Sequence, residues 1–194
     1  MSHYFSEKQD SRLKIDKITV KIKYISFELF SSGGVFSKDA LDTGSRLLIE
    51  NCEIGKKVLD MGCGIGVVGI AIKKLNPEIT LTMADINERA VMLTKKNCRL
   101  HNIDANVVKS DAYSGIKENF DTILSNPPQA AGKEVCFKII EGSLLHLEKG
   151  GTLQIVARHN KGGASLEKKM MEVFGNVSQI KKGSGFRIYL SRAL

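Results

Sequence analysis

Three glycines at alternate positions constrain this chain more than any other feature of its sequence. Gly62, Gly64 and Gly66 stand directly after a short apolar run that ends at Asp60, and an apolar helical pattern follows them. Glycine reaches positive φ angles and has no side chain to keep a ligand from the backbone. The pattern therefore predicts a buried strand, a tight turn and a helix whose N-terminus faces a ligand. Dinucleotide-binding proteins share this kind of loop, so the loop alone does not identify the ligand.

The segments around this loop alternate between strand and helix patterns. Alternation of this kind implies right-handed crossovers and a mostly parallel, doubly wound α/β sheet with helices on both faces. An N-terminal β-hairpin and a final strand pair complete the prediction, because short alternating runs occur at both ends of the chain. The predicted strands are 18–23, 26–30, 58–59, 79–84, 105–108, 120–124, 152–157, 177–180 and 186–190. The clearest helical pattern spans 133–147 and is expected to end before Gly150-Gly151.

Polar residues follow four of the predicted strands. Asp60, Asp85 and Asp111 end three of them, and Asn126-Pro127-Pro128 follows the fourth. Because ligands bind beyond the carboxyl ends of parallel strands, we expect these residues to form one site. Asp85 lies about 20 residues beyond the glycine loop, where an acid binds ribose hydroxyls in nucleotide-type cofactors. Asp111, with the next residue Ala112, is expected beside an adenine ring.

The sequence Asn126-Pro127-Pro128 favours a methyltransferase over a dehydrogenase. An exocyclic amine is a poor nucleophile, because its lone pair is delocalised into the adjoining ring or carbonyl. The Asn126 side-chain oxygen and the Pro127 carbonyl can each accept one N–H of such an amine and fix its nitrogen. Two prolines keep the loop rigid. Since Asn-Pro is also a common turn signal, an ordinary loop is the alternative interpretation.

The charge of the chain favours a polyanionic partner. Its 194 residues carry a formal net charge of +8 with a pI of about 9.3, and from residue 158 onward eight basic residues face two acidic ones. This excess indicates a nucleic-acid surface near the C-terminus, although a generally basic protein would show a similar total. The four cysteines and four histidines have no metal-ligand spacing, and no segment has the pattern of a signal peptide or membrane span. We therefore expect a cytoplasmic protein with no metal and no membrane partner.

The chain resembles the class I S-adenosylmethionine-dependent methyltransferases. More narrowly, it is similar to the small-subunit ribosomal RNA guanine-N2 methyltransferase C family in its short, single-domain, archaeal-type form. The matching motifs lie at 34–37, 41–48, 58–66 and 125–128. The resemblance implies a Rossmann-like sheet of seven strands, mostly parallel, whose last strand is antiparallel. It also implies that residues 34–194 form the methyltransferase domain and that residues 1–33 form an arm and hairpin packed on it.

The same resemblance implies the residues of the site. Asn126, Pro127 and Pro128 would bind the target amine. The cofactor would be S-adenosyl-L-methionine, contacted by Phe36, Ser37, Asp60, Gly62, Cys63, Gly64, Gly66, Asp85, Ile86, Asp111, Ala112 and Asn126. Cys63 is included as a small residue of the tight turn rather than as a nucleophile. The residue after Asn-Pro-Pro is commonly aromatic in the family and stacks on the target base. Here it is Gln129, so stacking is expected from another residue such as Phe36.

These features predict methyl transfer to an exocyclic amine of RNA, N2 of a guanine in small-subunit ribosomal RNA above all. The expected partner is ribosomal RNA or the small ribosomal subunit, and the protein is expected to be a monomer or a homodimer. N6-adenine methylation and methylation of protein glutamine side chains remain compatible with Asn-Pro-Pro. A nicotinamide-dependent dehydrogenase, and a non-catalytic RNA-binding or ribosome assembly factor that keeps the fold, remain as alternatives of other classes.

Overall fold

The computed structural model describes residues 14–32, 41–127 and 132–194. Its strands are β1 (Ile15–Ile22), β2 (Ile25–Ser32), β3 (Lys57–Met61), β4 (Thr80–Asp85), β5 (Asn106–Lys109), β6 (Phe120–Ser125), β7 (Leu147–Arg158), β8 (Ser178–Gly183) and β9 (Phe186–Arg192). Its α-helices are α1 (Thr43–Asn51), α2 (Val67–Leu75), α3 (Glu88–Leu100), α4 (Lys133–Ser143) and α5 (Gly163–Phe174). No helix in these ranges is long and apolar enough to cross a membrane.

Seven strands form one sheet in the order β5-β4-β3-β6-β7-β9-β8. The first five strands of that order are parallel, and β9 pairs antiparallel with both of its neighbours. Helices cover both faces, as expected when strands and helices alternate along the chain. The predicted seven-stranded, mostly parallel sheet with one antiparallel strand near its end is therefore confirmed. Strands β1 and β2 form a separate antiparallel hairpin, which was also predicted.

The two faces of the sheet pack into separate apolar clusters. Successive side chains of a strand point to opposite faces. Leu124 and Val156 accordingly belong to the cluster under the hairpin, α1, α2 and α3. Their neighbours Ile123 and Ile155 belong to the cluster under α4 and α5. A residue that extends β6 or β7 can therefore be assigned to one face by its position in this alternation.

Strand β7 begins earlier than the sequence predicts. The predicted helix 133–147 ends at Ser143, a single 3-10 turn spans Leu144–His146, and Leu147 already starts the strand. Leu147 is buried, so its apolar character fits a strand as well as the helical stripe to which it was assigned. Gly151 lies within this strand and does not end it. A Cβ at this position would lie only 3.0 Å from the Phe120 carbonyl oxygen. Close approach of the two backbones requires glycine at that position.

The side chain of Asn97 connects the hairpin to the sheet. It lies on α3 and is fully buried. Its Oδ1 accepts the Phe30 backbone N–H at 2.7 Å, and its Nδ2 donates to the Phe30 carbonyl at 3.0 Å. The same Nδ2 donates to the Ile65 carbonyl at 2.9 Å, in the glycine loop after β3. One amide group therefore joins β2, α3 and the glycine loop.

We expect the substitution Asn97→Ala to lower the free energy of unfolding by about 2–4 kcal/mol, because it leaves buried backbone groups of Phe30 and Ile65 without partners. Urea denaturation monitored by circular dichroism measures this change. The control is Lys95→Ala, at an exposed position of the same helix, which should change the free energy by less than about 0.5 kcal/mol. Equal effects of the two substitutions would contradict this role of Asn97.

Candidate active site

The glycine loop turns sharply at the end of β3. Gly62, Gly64 and Gly66 have φ angles of 75°, 58° and 87°, which are left-handed values that other residues adopt only with strain. Among the described residues, leaving aside Gly62 and its two chain neighbours, no atom lies within 4 Å of the position that a Cβ on Gly62 would take. The backbone of the loop is therefore open to a ligand at Gly62, at the carboxyl edge of the sheet.

Two buried aspartates hold backbone N–H groups at this edge. The Asp60 Oδ2 atom accepts the N–H of Gly69 at 2.8 Å, in the first turn of α2. The Asp85 Oδ2 atom accepts the N–H of Gly64 at 2.8 Å, and its Oδ1 accepts the N–H of Asn87 at 2.9 Å. The N-cap of α3 is Asn87 itself, so Asp85 is not the capping residue of that helix. Each aspartate therefore fixes the direction of the chain beside the glycine loop.

Helix α3 holds the carbonyl groups of the same loop. The Thr94 hydroxyl donates to the Gly64 carbonyl at 2.7 Å, and Asn97 donates to the next carbonyl, that of Ile65. The Cys63 side chain packs inward, with its Sγ 3.8 Å from the Thr94 Oγ1. Burial raises the pKa of the Cys63 thiol well above its ordinary value, so this group stays protonated. Cys63 was predicted to contact the cofactor, but its side chain is buried against α3.

The two aspartates place carboxyl groups in a region of low dielectric. Asp60 is 2% exposed and Asp85 is 6% exposed. Burial raises the pKa of Asp60 to about 7, with the Gly69 N–H acting in the opposite direction and the charge of Asp85 adding to the rise. Burial also raises the pKa of Asp85, against the opposing effect of its backbone N–H donors. Because an adjacent positive charge favours the ionised form of a carboxyl group, this environment suits a cationic ligand.

The predicted cofactor residues beyond β4 and β5 share one cleft with the open part of the loop. The cleft is lined by Met61, Gly62, Asp85, Ile86, Ser110, Asp111, Ala112, Val135, Lys138 and Ile139. Apolar side chains from β3 and α4 line it, together with the carboxyl groups of Asp85 and Asp111. The structure thus brings Gly62, Asp85, Ile86, Asp111 and Ala112 together in one cleft.

Sequence reasoning missed Lys138, which belongs to this cleft. Its Nζ donates to the Asp111 Oδ2 at 2.6 Å, and both side chains are more than half exposed. Lys138 stands 27 residues after Asp111 and on a different element. Only the packing of α4 against the sheet edge brings the two together, so no local motif could have indicated this pair.

The side chain of Asn126 is oriented by α1. Its Nδ2 donates to both carboxylate oxygens of Asp42, at 3.2 and 3.3 Å, and to the Ser45 hydroxyl at 3.0 Å. Asp42 is the N-cap of α1. A carboxylate only accepts hydrogen bonds, so the amide nitrogen must face Asp42. The Oδ1 of Asn126 is therefore the end of the amide that can accept a hydrogen bond from a ligand.

The surroundings of Asn126 are crowded on the α1 side. A Cβ on Gly44 would lie 3.2 Å from the Asn126 Oδ1 and 3.0 Å from both the Asp42 Oδ1 and the Phe186 Cε1. Arg158 lies over the same Phe186 ring, with its Cζ 4.9 Å from the ring centroid. Sequence reasoning did not single out Phe186 or Arg158, because both residues follow Asn126 by more than 30 positions.

Several predicted site residues are absent from this geometry. Phe36, Ser37 and Pro128 lie outside the described residues. His159 has its Nδ1 2.8 Å from the hydroxyl of Tyr189, a fully buried side chain. Among the residues that the structure describes, no group of three or more potential metal ligands is found.

Comparison with known proteins gives one family and several named relatives. A family model for the methyltransferase small domain matches residues 26–190. The protein YbxB of Bacillus subtilis strain 168 is 37% identical over 192 residues, with 96% of each chain covered. Ribosomal RNA small subunit methyltransferase C of Pasteurella multocida strain Pm70 is 34% identical over 170 residues, which are 84% of this chain and 51% of that protein.

The relatives named ribosomal RNA small subunit methyltransferase C are longer proteins. The chain spans about half the length of these relatives. It covers 47% of the Hamiltonella defensa protein, to which it is 38% identical over 162 residues. A solved structure with the same fold is the Thermus thermophilus 16S rRNA N2 G1207 methyltransferase RsmC in complex with AdoMet and guanosine. It aligns with a TM-score of 0.81 at 20% identity, over 96% of this chain and 52% of that one.

The raised pKa of Asp60 makes the stability of the ligand-free protein depend on pH. Between the unfolded value, 3.8, and the folded value, about 7, the folded state keeps a proton that the unfolded state has lost. Stability from this group is therefore present at low pH and falls as the pH rises, by up to about 1.4 kcal/mol per pH unit. We expect Asp60→Asn to remove this fall, because the amide does not titrate.

Urea denaturation at several pH values between 4 and 8 measures the difference between wild type and Asp60→Asn, which should grow as the pH rises toward 7 and then stay constant. Asp104→Asn, at an exposed position, serves as the control and should give a curve parallel to that of the wild type. Parallel curves for Asp60→Asn and wild type would show that Asp60 ionises normally in the folded protein.

Proposed function

Because the chain belongs to the methyltransferase small domain family, we propose that it transfers a methyl group from S-adenosylmethionine to an exocyclic amine of RNA, N2 of a guanine in small-subunit ribosomal RNA. The observation that carries this proposal is the oriented amide of Asn126 at the carboxyl edge that also holds the open glycine loop. The relatives named ribosomal RNA small subunit methyltransferase C support the choice of substrate.

The cleft beside the glycine loop fits the proposed cofactor. S-Adenosylmethionine, when bound, supplies a methyl group attached to a positively charged sulfur atom. The open backbone at Gly62 would hold the methionine end, and the buried acids nearby favour its positive charges. Asp85 would accept hydrogen bonds from the ribose, since each carboxylate oxygen has two lone pairs and can accept more than its backbone partner. Ile86 and Ala112 would pack on the adenine, and Asp111 would lie at its edge.

Asn126 and Pro127 would position the nitrogen that receives the methyl group. The Asn126 Oδ1 accepts one N–H of the amine, and the Pro127 carbonyl accepts the other. Two acceptors held in place fix the direction of the nitrogen lone pair, and such positioning contributes a large part of the rate in reactions of this kind. Asp42 acts as a positioning residue in this proposal, because it determines which end of the Asn126 amide faces the substrate.

Contacts to RNA phosphates would come from the basic C-terminal part of the chain. Two of its basic residues, Lys169 and Arg192, are already in ion pairs with Glu141 and Glu53. Lys181 and Lys182 are exposed on β8, the edge strand of the sheet. Binding through such residues weakens as the salt concentration rises. A monomer or homodimer and a cytoplasmic location remain predictions.

Methyl transfer itself tests the proposal. We expect the purified protein, incubated with isotopically labelled S-adenosylmethionine and unmodified small-subunit ribosomal RNA, free or assembled, to label N2-methylguanosine in the digested RNA. Asn126→Ala should lower turnover by at least about 100-fold, because an amine acceptor is lost, while cofactor affinity by calorimetry stays near wild type. Label in N6-methyladenosine would show that the substrate is an adenine, and label in a protein glutamine would show that it is a protein. Either result would contradict the proposed substrate. Cofactor binding with no label anywhere would favour the non-catalytic alternative.

The role of Asp42 gives a separate prediction. Asp42→Ser keeps a good N-cap for α1 but removes the carboxylate that faces Asn126. We expect kcat to fall by about 10- to 100-fold, since a small misplacement of a positioning group has effects of this size. The melting temperature should stay close to that of wild type. Asp104→Ser, a change at an exposed acid far along the chain, is the matched control. An unchanged kcat for Asp42→Ser would mean that Asn126 keeps its orientation without Asp42.

A further inference from the structure

A base whose amine reaches Asn126 needs a flat surface to lie on. Bases removed from their stack, or read in single strands, rest on aromatic rings or on arginine guanidinium planes. The residue that follows the Asn-Pro-Pro sequence is Gln129, which offers neither. The described residues around Asn126 offer one pair of this kind, Phe186 with Arg158. The inference drawn from this pair rests on the proposed function and adds a residue to the substrate side of that site.

Arg158 and Phe186 are held together by the sheet. They are direct cross-strand partners at the carboxyl end of β7 and the start of β9. The Phe186 ring is only 9% exposed, whereas Arg158 is exposed and its Cζ lies 4.9 Å from the ring centroid. A guanidinium over an aromatic face is attracted to the ring and keeps its opposite side open to solvent. Phe186 therefore supports Arg158 from below and is not itself available to a base.

This pair lies beside Asn126 on the same face of the sheet. The Phe186 Cε1 and the Asn126 Oδ1 both lie within 3.2 Å of the single point that a Cβ on Gly44 would occupy. Ser125 pairs with Ile155, so Asn126 is level with Val156, and Arg158 stands two residues beyond it toward the ligand edge. Val156 and Phe186 belong to the same apolar cluster, and Arg158 follows Val156 in the alternation of β7.

We propose that the guanidinium of Arg158, supported by Phe186, forms the stacking surface for the base whose amine is bound by Asn126. The planar, delocalised guanidinium stacks on bases in a way that the compact ammonium of lysine does not. Its positive charge also suits the π-face of a base, to which arginine adds a cation–π contribution. The class of ligand is thus an unstacked purine of a single-stranded or flipped RNA segment.

Two variants separate stacking from a simple charge effect. Arg158→Ala removes the plane and the charge, and Arg158→Lys removes the plane alone. We expect both to lower kcat/KM for methylation of a small-subunit ribosomal RNA transcript by about 10- to 100-fold, the range found when stacking side chains are removed. Cofactor affinity should be unchanged. Lys149→Ala, which removes an exposed cation near the opposite end of β7, should change kcat/KM less than threefold and serves as the control.

A second readout does not require methyl transfer. A short single-stranded RNA that carries one 2-aminopurine should gain fluorescence on binding to the wild type and to Lys149→Ala, because the base leaves its stacked neighbours for a guanidinium, which is not an aromatic quencher. This gain should be absent with both Arg158 variants. If the wild type gives the Arg158-dependent fluorescence change but no methylated RNA, the proposed function fails and the stacking surface stands.

Two results would overturn the stacking role. Full activity and a full gain of fluorescence with Arg158→Lys would show that Arg158 provides only charge, as a phosphate contact does. In that case the slope of log binding constant against log salt concentration should also fall by about one on Arg158→Ala. Wild-type behaviour of Arg158→Ala in both assays would show that the pair only stabilises the sheet.

Discussion

The structure of the site depends on hydrogen bonds between buried side chains and the backbone of the glycine loop. Asp85 and Thr94 bond the N–H and the carbonyl of the same residue, Gly64, and Asn97 bonds the carbonyl that follows. A buried polar group left without a partner costs about 1–3 kcal/mol, so these bonds strongly favour one conformation of the loop. The loop therefore has its shape before a ligand binds, and little further ordering is needed when one does.

The same arrangement explains why two carboxyl groups are buried at one edge of the sheet. Asp60 and Asp85 are placed by their backbone donors, and the described residues put no lysine or arginine in an ion pair with either of them. Lys138, which lines the cleft, is paired with Asp111. Desolvation without a counter-charge raises both pKa values, and a cationic ligand reverses that effect. The same carboxylate oxygens of Asp60 and Asp85 therefore hold the backbone in place and favour a cationic ligand.

The sequence predicts the parts of this site that depend on the ends of parallel strands. Asp85 and Asp111 could be assigned to one edge because every strand of a parallel sheet ends at the same edge, and both residues line the same cleft. The contact of Asp42 with Asn126 spans 84 residues, and no local pattern contains it. The predicted start of β7 was wrong for a related reason. Leu147 fits both the apolar stripe of the predicted helix and the buried positions of a strand. In each case the deciding interaction comes from an element that lies far along the chain.

The start of α1 and the Asn126 amide behave as one unit, and this has a consequence for sequence change at the site. A single oxygen, the Asp42 Oδ1, accepts the N–H groups of Gly44 and Ser45 and also the amide of Asn126. Any side chain on Gly44 would press on that oxygen, on Asn126 and on Phe186 at once. The helix start therefore cannot shift without turning the amide, and the group that defines the amine site is as rigid as the secondary structure that holds it.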